Sequence, residues 1–507
     1  MLSILIKKIE RSDTTSFHFS LFNIQFGSGF ARLGFSVYAI KTNPQTTYEV
    51  PMKKLITAFI GLALAFAAVG PALCIEADAD IPDLADIRVL DLDTAKKIAL
   101  ARNPTLKAAA HRVKQAAWRV QQAASAYLPR LDANAQASRV ELSDSAYTAT
   151  LQQAQFFNAT VEDPEEYYSA GITATWRMFD GFARRFNHAA GKYALSASEH
   201  SRADARRLIS SAVARAYHGA MLARENVAIA KADQAFFARQ AEEAGIRREI
   251  GTGSLSDVLN FHVGQNAAKS NVISAKQSFE VAMFGLAALL GVQDPDFAER
   301  IEPARMNPES VKEITEPNVR DFIQSAKADR PDILQAEAIQ NAAQAQFKSA
   351  RGEYFPTIDL SAGYTGDRTG DAGFEADDFG TTLAATIKLN LFSGGLTRAK
   401  VAEARAANNE AKSNLLNVRI QAVNEVLEAT AKVKSTQAEL LLQHENADLV
   451  SRNRDLVENE YRAGQASLVT LKQAQRDLVT AQSRLASARV NLRQAWQELY
   501  TSAGGEI

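Results

Sequence analysis

The chain has 507 residues, of which 46% are hydrophobic and 23% charged, enough apolar material for a folded core and unlike a disordered polypeptide. Lys and Arg number 57 against 58 Asp and Glu, a formal charge of -1 with no strongly basic block, which excludes nucleic acid as the expected partner. One cysteine excludes an internal disulfide framework and a cysteine-based zinc cluster.

Near the N-terminus, residues 52–74 read MKKLITAFIGLALAFAAVGPALC: two lysines, an apolar run from Leu55 to Val69, a Gly-Pro break and small residues. That order is a secretory signal. The apolar run of roughly 15 residues is shorter than the roughly 20 that a membrane-spanning helix needs. Residues 1–51 precede it, either as an upstream extension or because translation truly begins at Met52. Cys74 marks either a lipidation site or, since Leu73 rather than a small residue precedes it, ordinary cleavage after Cys74 or Ala77; the second reading is preferred.

A helix is expected up to Pro129, which cannot continue an interior helical ladder. Leu131, Ala133, Ala135 and Ala137 then alternate with Asp132, Asn134, Gln136 and Ser138, the period of a half-wet strand. After a polar loop over about Arg139 to Tyr167, a second strand holds Tyr168, Ala170, Ile172, Ala174, Trp176 and Met178 on one parity. Asp180 before Gly181 suits an N-cap. Proline is absent from Glu165 to Asp294, and a helix over about Phe182 to Ile250 would run ~100 Å at 1.5 Å per residue. The turn Gly251-Thr252-Gly253-Ser254-Leu255 ends it and a further helix returns; the Pro-rich span Pro295 to Pro317 follows.

Beyond that span the same signals recur. Arg330-Pro331 answers Asn103-Pro104, and Tyr354-Phe355-Pro356 answers Tyr127-Leu128-Pro129, both 227 residues on. Met178-Phe179-Asp180-Gly181 is answered by Leu391-Phe392-Ser393-Gly394, and Gly251 to Leu255 by Gly464-Gln465-Ala466-Ser467-Leu468, both 213 residues on. The difference falls between the paired strands, where a loop absorbs it. Two structural repeats are therefore expected, 90–291 and 319–504, joined by a linker over 292–318.

In the second repeat, Ile358, Leu360, Ala362 and Tyr364 mark one strand, and a polar loop spans about Gly366 to Phe379. Leu383, Ala385, Ile387, Leu389 and Leu391 mark the next strand, opposite Thr382, Thr386, Lys388 and Asn390. Ser393 is its expected cap, and a helix over Leu396 to Ala463 contains neither glycine nor proline. Val426, Val433, Leu440 and Ala447, seven apart, offer a coiled-coil seam. The helices alone would fit an exported coiled-coil structural protein equally well. The strands decide otherwise. Four amphipathic strands cannot sit alone in a bilayer with unpaired edges, and the smallest outer-membrane barrels have about eight, so several chains must pool their strands. Tyr127, Phe179, Tyr354, Phe355 and Phe392 at the strand–helix junctions would form an interfacial girdle.

In the duplicated half, the MFDG and LFSGG junctions, the NP/RP and YLP/YFP pairs and the glycine-led turns, the sequence resembles the TolC family of outer-membrane efflux and secretion channels over about Leu90 to Gly504. The resemblance implies a mostly α fold with four strands per chain, and a homotrimer whose twelve strands form one transmembrane β-barrel continued by a long periplasmic α-helical barrel. It implies a passive exit tunnel in the outer membrane of a Gram-negative bacterium, supplied by an inner-membrane transporter through a periplasmic adaptor protein, in drug efflux or type I secretion. Leu383, Ala385, Ile387, Leu389 and Leu391 would face lipid. The turns 251–255 and 464–468 would be the periplasmic tips on which the adaptor docks. Family members often close the tip with acidic rings just after the second turn, but the matching positions here are Thr470 and Gln473. Asp257, six residues past Gly251, is the acidic candidate for a constriction, with a solvated helix-face carboxylate as its duller reading.

No enzyme is expected. The seven histidines are scattered singly, no metal or cofactor motif is assembled, and GTGS at Gly251 lacks the lysine of a phosphate loop. Nothing in the sequence names the cargo.

Overall fold

The computed structural model describes residues 87–155, 161, 165–306 and 315–505, all within one unit, Asp78–Ile507. The signal segment 52–74 with Cys74, residues 1–51 and the linker residues 307–314 lie outside the described residues.

In chain order the elements are β1 (Val89–Leu90), α1 (Leu92–Arg102), α2 (Pro104–Ser125), β2 (Arg130–Val140), α3 (Asp144–Gln155), β3 (Glu165–Asp180), α4 (Ala183–Glu249), α5 (Leu255–Leu290), α6 (Phe297–Arg300), β4 (Glu302–Pro303), α7 (Val319–Asp329), α8 (Pro331–Arg351), β5 (Thr357–Thr369), β6 (Phe379–Lys388), α9 (Leu396–Arg462) and α10 (Leu468–Ser502). α4 and α9 each have 67 residues and start 213 apart, about 100 Å of unbroken helix each. The sheet lies at their one end and the glycine turns at the other. α4 packs along α5, α8, α2 and α10, while α9 packs along α10 and α8.

The expected seam on α9 is buried throughout: Val426, Val433, Leu440 and Ala447 are all inaccessible or nearly so. Val426 and Val433 meet Ala326 of α7 and Ala495 and Leu499 of α10. Burying a residue such as Leu499 contributes roughly 1.5–3 kcal/mol, so the long helices are held by their neighbours rather than by helix propensity. A second core midway along α4 gathers Leu90, Ile98, Met283, Leu286, Phe297 and Ile301. There β1 pairs in parallel with β4, a contact the sequence did not announce. The buried Tyr217 hydroxyl donates to the Leu90 carbonyl (3.0 Å) and accepts from the Ala304 N–H (3.2 Å), locking both segments onto α4.

The NP and RP pairs have a shared mechanical role. Asn103 caps α2 through the Thr105 N–H and donates to the Leu289 carbonyl at 2.8 Å, so it ties the end of α5 to the start of α2. Arg330 occupies the matching place with more chemistry. It donates to the Ser502 carbonyl (3.0 Å), to Glu425 (2.6 Å) and to both oxygens of Asp332, while being 3% exposed.

Several expectations are corrected. Neither Asp180 nor Ser393 is the N-cap: Phe182 and Gly395 hold those positions, both in left-handed backbone, with no side-chain cap. Asp180 acts from further upstream, accepting from the Arg184 N–H and Nε, both at 3.0 Å. The loop after β2 contains the exposed helix α3, and β5 runs three residues past Gly366, to Thr369. Met178 does not continue the parity of Trp176, because a β-bulge between Arg177 and Phe179 hands its place to Phe179. β6 stops at Lys388, so Leu389 and Leu391 lie beyond the strand to which the sequence assigned them.

Candidate functional site

The strands form one antiparallel sheet in the order β2-β3-β5-β6. Its register joins apolar side chains in rows across all four strands. Leu131, Ala174, Ala362 and Leu383 make one row, and Trp176, Leu360 and Ala385 part of the next. Past the bulge, Phe179, Ile358 and Ile387 make another. The bulge thus returns an aromatic ring to this face where simple alternation would have placed Met178. On the other face lie Asp132, Thr173, Gly363 and Thr382 in one row, and Arg177, Asp359 and Thr386 in another. Arg177 Nε reaches Asp359 Oδ1 at 2.8 Å, a cross-strand ion pair on the wet side.

Among the described residues nothing covers the apolar face: Leu383 is 79% and Ile387 71% exposed. So large an apolar row left bare in a single chain marks a surface meant for something other than water. Leu389 and Leu391, though outside the strand, are exposed as well. At the helix end of the sheet, Trp176 Nε1 donates to the Tyr127 carbonyl at 3.0 Å. Tyr127, Tyr354, Phe355 and Phe392 are exposed around it, while Phe179 is half-buried against Phe182. Arg184 ties this junction together, reaching the Ala126 and Met178 carbonyls besides Asp180. Gly181 has a steric reason to be glycine: a Cβ there would lie 2.2 Å from the Gly352 carbonyl oxygen.

The far ends of the long helices are closed by one device used twice. Gly251 (φ 78°) and Gly464 (φ 75°) follow the helix ends in left-handed backbone. The Thr252 N–H returns to the Arg247 carbonyl and the Gln465 N–H to the Glu460 carbonyl, both at 2.8 Å, so each is a Schellman turn. Ser254 and Ser467 then cap the returning helices by accepting from the Ser256 and Thr470 N–H groups. Gly253 packs on the Arg247–Arg248 backbone, while Ala466 in the second turn and Leu468 just after it pack against the tip core of Phe236, Phe237, Phe261 and Leu471. Leu255 remains exposed.

Of the constriction candidates, Asp257 is half-buried in the first turn of α5, near Tyr461. Burial first, and then the Asp257 charge, hold the Tyr461 phenol above its ordinary value. Thr470 is exposed, its N–H and hydroxyl both engaged with Ser467. Gln473 is exposed and donates to Asp477 at 2.8 Å. Asp477, one turn further along α10, is an acidic neighbour that the sequence reading missed; only its i,i+4 spacing from Gln473 hints at it.

Between the two helical hairpins polar contacts lie beside the shared apolar tip core, in which Phe236, Phe237 and Phe261 meet Val457, Leu471 and Ala474. Gln240 donates to Glu458 (3.1 Å), Gln475 to Asp233 (2.8 Å) and Arg462 to Glu243 (3.1 Å). Within the first hairpin Phe237 lies against Gly264 of α5, and within the second Lys432 pairs with Glu498 at 2.6 Å.

A bare, in-register apolar sheet set on helices about 100 Å long is the form of a membrane-embedded channel protein. The profile of the family described as "Outer membrane efflux protein" matches residues 96–292 and 322–505. The pyoverdine export outer membrane protein OpmQ of Pseudomonas aeruginosa is 27% identical over 422 residues, covering 82% of this chain and 85% of that one. The outer membrane protein TolC of Escherichia coli is 23% identical over 452 residues, 87% of this chain and 84% of its own. The crystal structure of VceC from Vibrio cholerae superposes with a TM-score of 0.68 at 22% identity, covering 82% of this chain and 96% of that one. The chain belongs to the outer membrane efflux protein family. It is a TolC-like efflux channel of the Gram-negative outer membrane, in a family of transport proteins rather than of enzymes.

Proposed function

We propose that three copies of this chain pool their sheets into a twelve-stranded barrel through the outer membrane, and that their helices continue it as a periplasmic tunnel. The observation that carries this reading is the sheet itself: four strands, two open edges and one bare apolar face. Open edges cannot face hydrocarbon, and four strands cannot close. Leu383, Ala385 and Ile387 face lipid, while Asp132, Arg177 and Lys388 face the water-filled bore. The chain is internally duplicated, with repeats at 90–291 and 319–504 about a linker at 292–318, after a signal at 52–74. The helical layer also has open flanks. α5 leaves Leu259, Val263 and Ile273 bare, and α9 leaves Leu442, Leu449 and Leu456 bare. Neighbouring copies cover these two stripes with each other.

The channel is passive. Cargo enters from an inner-membrane transporter through a periplasmic adaptor whose helices dock at the tips, Gly251–Leu255 and Gly464–Leu468. Native mass measurement of the detergent-extracted protein should give a homotrimer, and planar-bilayer recording should show one conductance per trimer. A monomer that inserts and conducts by itself would overturn the reading.

The three copies of Asp257 line the periplasmic constriction and favour cations there. Asp257→Ala should weaken cation preference and block by divalent ions in single-channel recordings. Unchanged selectivity would remove Asp257 from the constriction and leave the channel assignment standing.

A further inference from the structure

The internal strand pairings fix the pairing between subunits. In the first hairpin Ala133 faces Ile172. Moving each to its counterpart, 227 and 213 residues on, gives Leu360 and Ala385, and these two face each other in the second hairpin. The helices follow the same offsets: α1 to α7 and α2 to α8 start 227 apart, α4 to α9 and α5 to α10 start 213 apart. The repeat therefore carries register as well as fold. One pairing, β3 with β5, joins the two repeats, and its counterpart within a single chain does not exist, because β6 and β2 are the two edges of the sheet.

The geometry points to a β6–β2 pairing between copies in which Ile387 lies opposite Ala135 of the partner subunit, as Ala174 lies opposite Ala362 within the chain. Transferring the other pairs places Thr386 opposite Gln136 of the partner subunit and Ala385 opposite Ala137 of the partner subunit. Beyond the end of β6, Leu389 meets Ala133 of the partner subunit and Asn390 meets Asp132 of the partner subunit, the latter standing where Arg177 meets Asp359. Leu391 corresponds to the bulged Met178, and Phe392 to Phe179. This inference rests on the trimeric, duplicated reading above and adds the residue-level register of its interface.

Two features of the single chain agree. β3, paired on both sides, has 16 residues and reaches Asp180, whereas β6, paired on one side, has 10 and stops at Lys388, five short of the position matching Asp180. Those five residues, Leu389 to Ser393, are the stretch whose ladder partners belong to the next copy. The second feature is Gly394 (φ 61°). Its counterpart Gly181 packs on the backbone of Gly352, yet Gly394 has nothing within 4 Å. The matching backbone is that of Ser125 of the partner subunit, which fills the space on assembly.

Cysteine pairs in the full chain test the register, with each single variant controlling for Cys74. Oxidation of Ile387→Cys with Ala135→Cys, and of Thr386→Cys with Gln136→Cys on the other face, should give covalent trimers on non-reducing gels. Ile387→Cys with Ala133→Cys or Ala137→Cys should not, because diagonal neighbours lie ~7–8 Å apart and a disulfide needs Cα atoms within about 7 Å. In the unmutated trimer, amide exchange at Leu389–Phe392 should be as slow as at Trp176–Phe179. Preferred bridging of a displaced pair, or fast exchange at Leu389–Phe392, in an intact trimer overturns the register. A monomeric native mass overturns the trimeric reading instead.

Discussion

Arginine in place of Leu383 is expected to remove nearly all folded channel from the outer membrane, whereas arginine in place of the adjacent Thr382 should leave it close to the wild-type level. The two residues are neighbours in β6 but belong to opposite faces. Leu383 continues the row of Leu131, Ala174 and Ala362, and Thr382 the row of Asp132, Thr173 and Gly363. A charge on the lipid side near the midplane costs roughly 2–4 kcal/mol per chain, and in the proposed trimer three copies would suffer it together. On the bore side the same charge stays hydrated, and Gly363 opposite leaves room for it. The measurement is the heat-modifiable trimer band in purified outer membranes. Equal yields for the two variants would mean that the apolar rows do not meet lipid.

The second large effect is expected at Arg330. Arg330→Ala removes the cation from a nearly closed site and leaves Asp332, Glu425 and the Ser502 carbonyl without their shared donor. Deleting one partner of a fully buried pair typically costs about 3–5 kcal/mol; here Asp332 is a quarter and Glu425 half exposed and can hydrate, so the expected loss is smaller than that. The loss should appear as a lower denaturant midpoint for the helical part, with the sheet register unchanged. Acid sensitivity should change too. Burial alone would raise the Asp332 carboxyl, but its hydrogen bond to Arg330 and the Arg330 charge outweigh burial and hold it below the ordinary value of 3.8. A carboxyl lowered in the folded state stabilises it above the unfolded value, and that contribution is lost as the pH falls through the folded one. The wild-type midpoint should therefore drop with pH below about 4, and the Arg330→Ala midpoint should drop less. An Ala variant as stable as the wild type would show that Pro331 and the apolar contacts alone hold this junction.

The long helices were legible to within a residue or two, because 68 positions with neither glycine nor proline, bounded by Gly395 and Gly464, leave no other element to build. Strand faces were legible where alternation is nearly unbroken, as from Thr382 to Lys388, where only Ala384 departs from it. They failed at Met178, since a bulge is set by what the neighbouring strand can accept and leaves no mark in composition. The end of β6 was misjudged for a related reason: alternation continues to Leu391, but a strand needs a ladder partner, and within one chain Leu389 and Leu391 have none. The caps were misplaced because the backbone enters α4 and α9 through left-handed residues at Phe182 and Gly395, which sets Asp180 one turn back, where its carboxylate still accepts from the Arg184 N–H. Tip glycines were readable as turns. Their polar neighbours were not, because Gln473–Asp477 and Gln240–Glu458 depend on which helix faces which.

The polar contacts between hairpins bear on how such a tunnel can move. Parting Gln240 from Glu458, or Arg462 from Glu243, breaks bonds to charged groups worth about 1.5–3 kcal/mol each, and it also uncovers Val457 and Leu471 from the rings of Phe236 and Phe261. Prising α4 from α5 would instead wet Phe237 and Phe261, at roughly 1.5–3 kcal/mol for each ring. Near the tips the two hairpins therefore share one apolar core edged by buried polar pairs, so a tilt of one hairpin carries its neighbour with it, and dissolved salt loosens only the exposed Arg462–Glu243 pair at the rim.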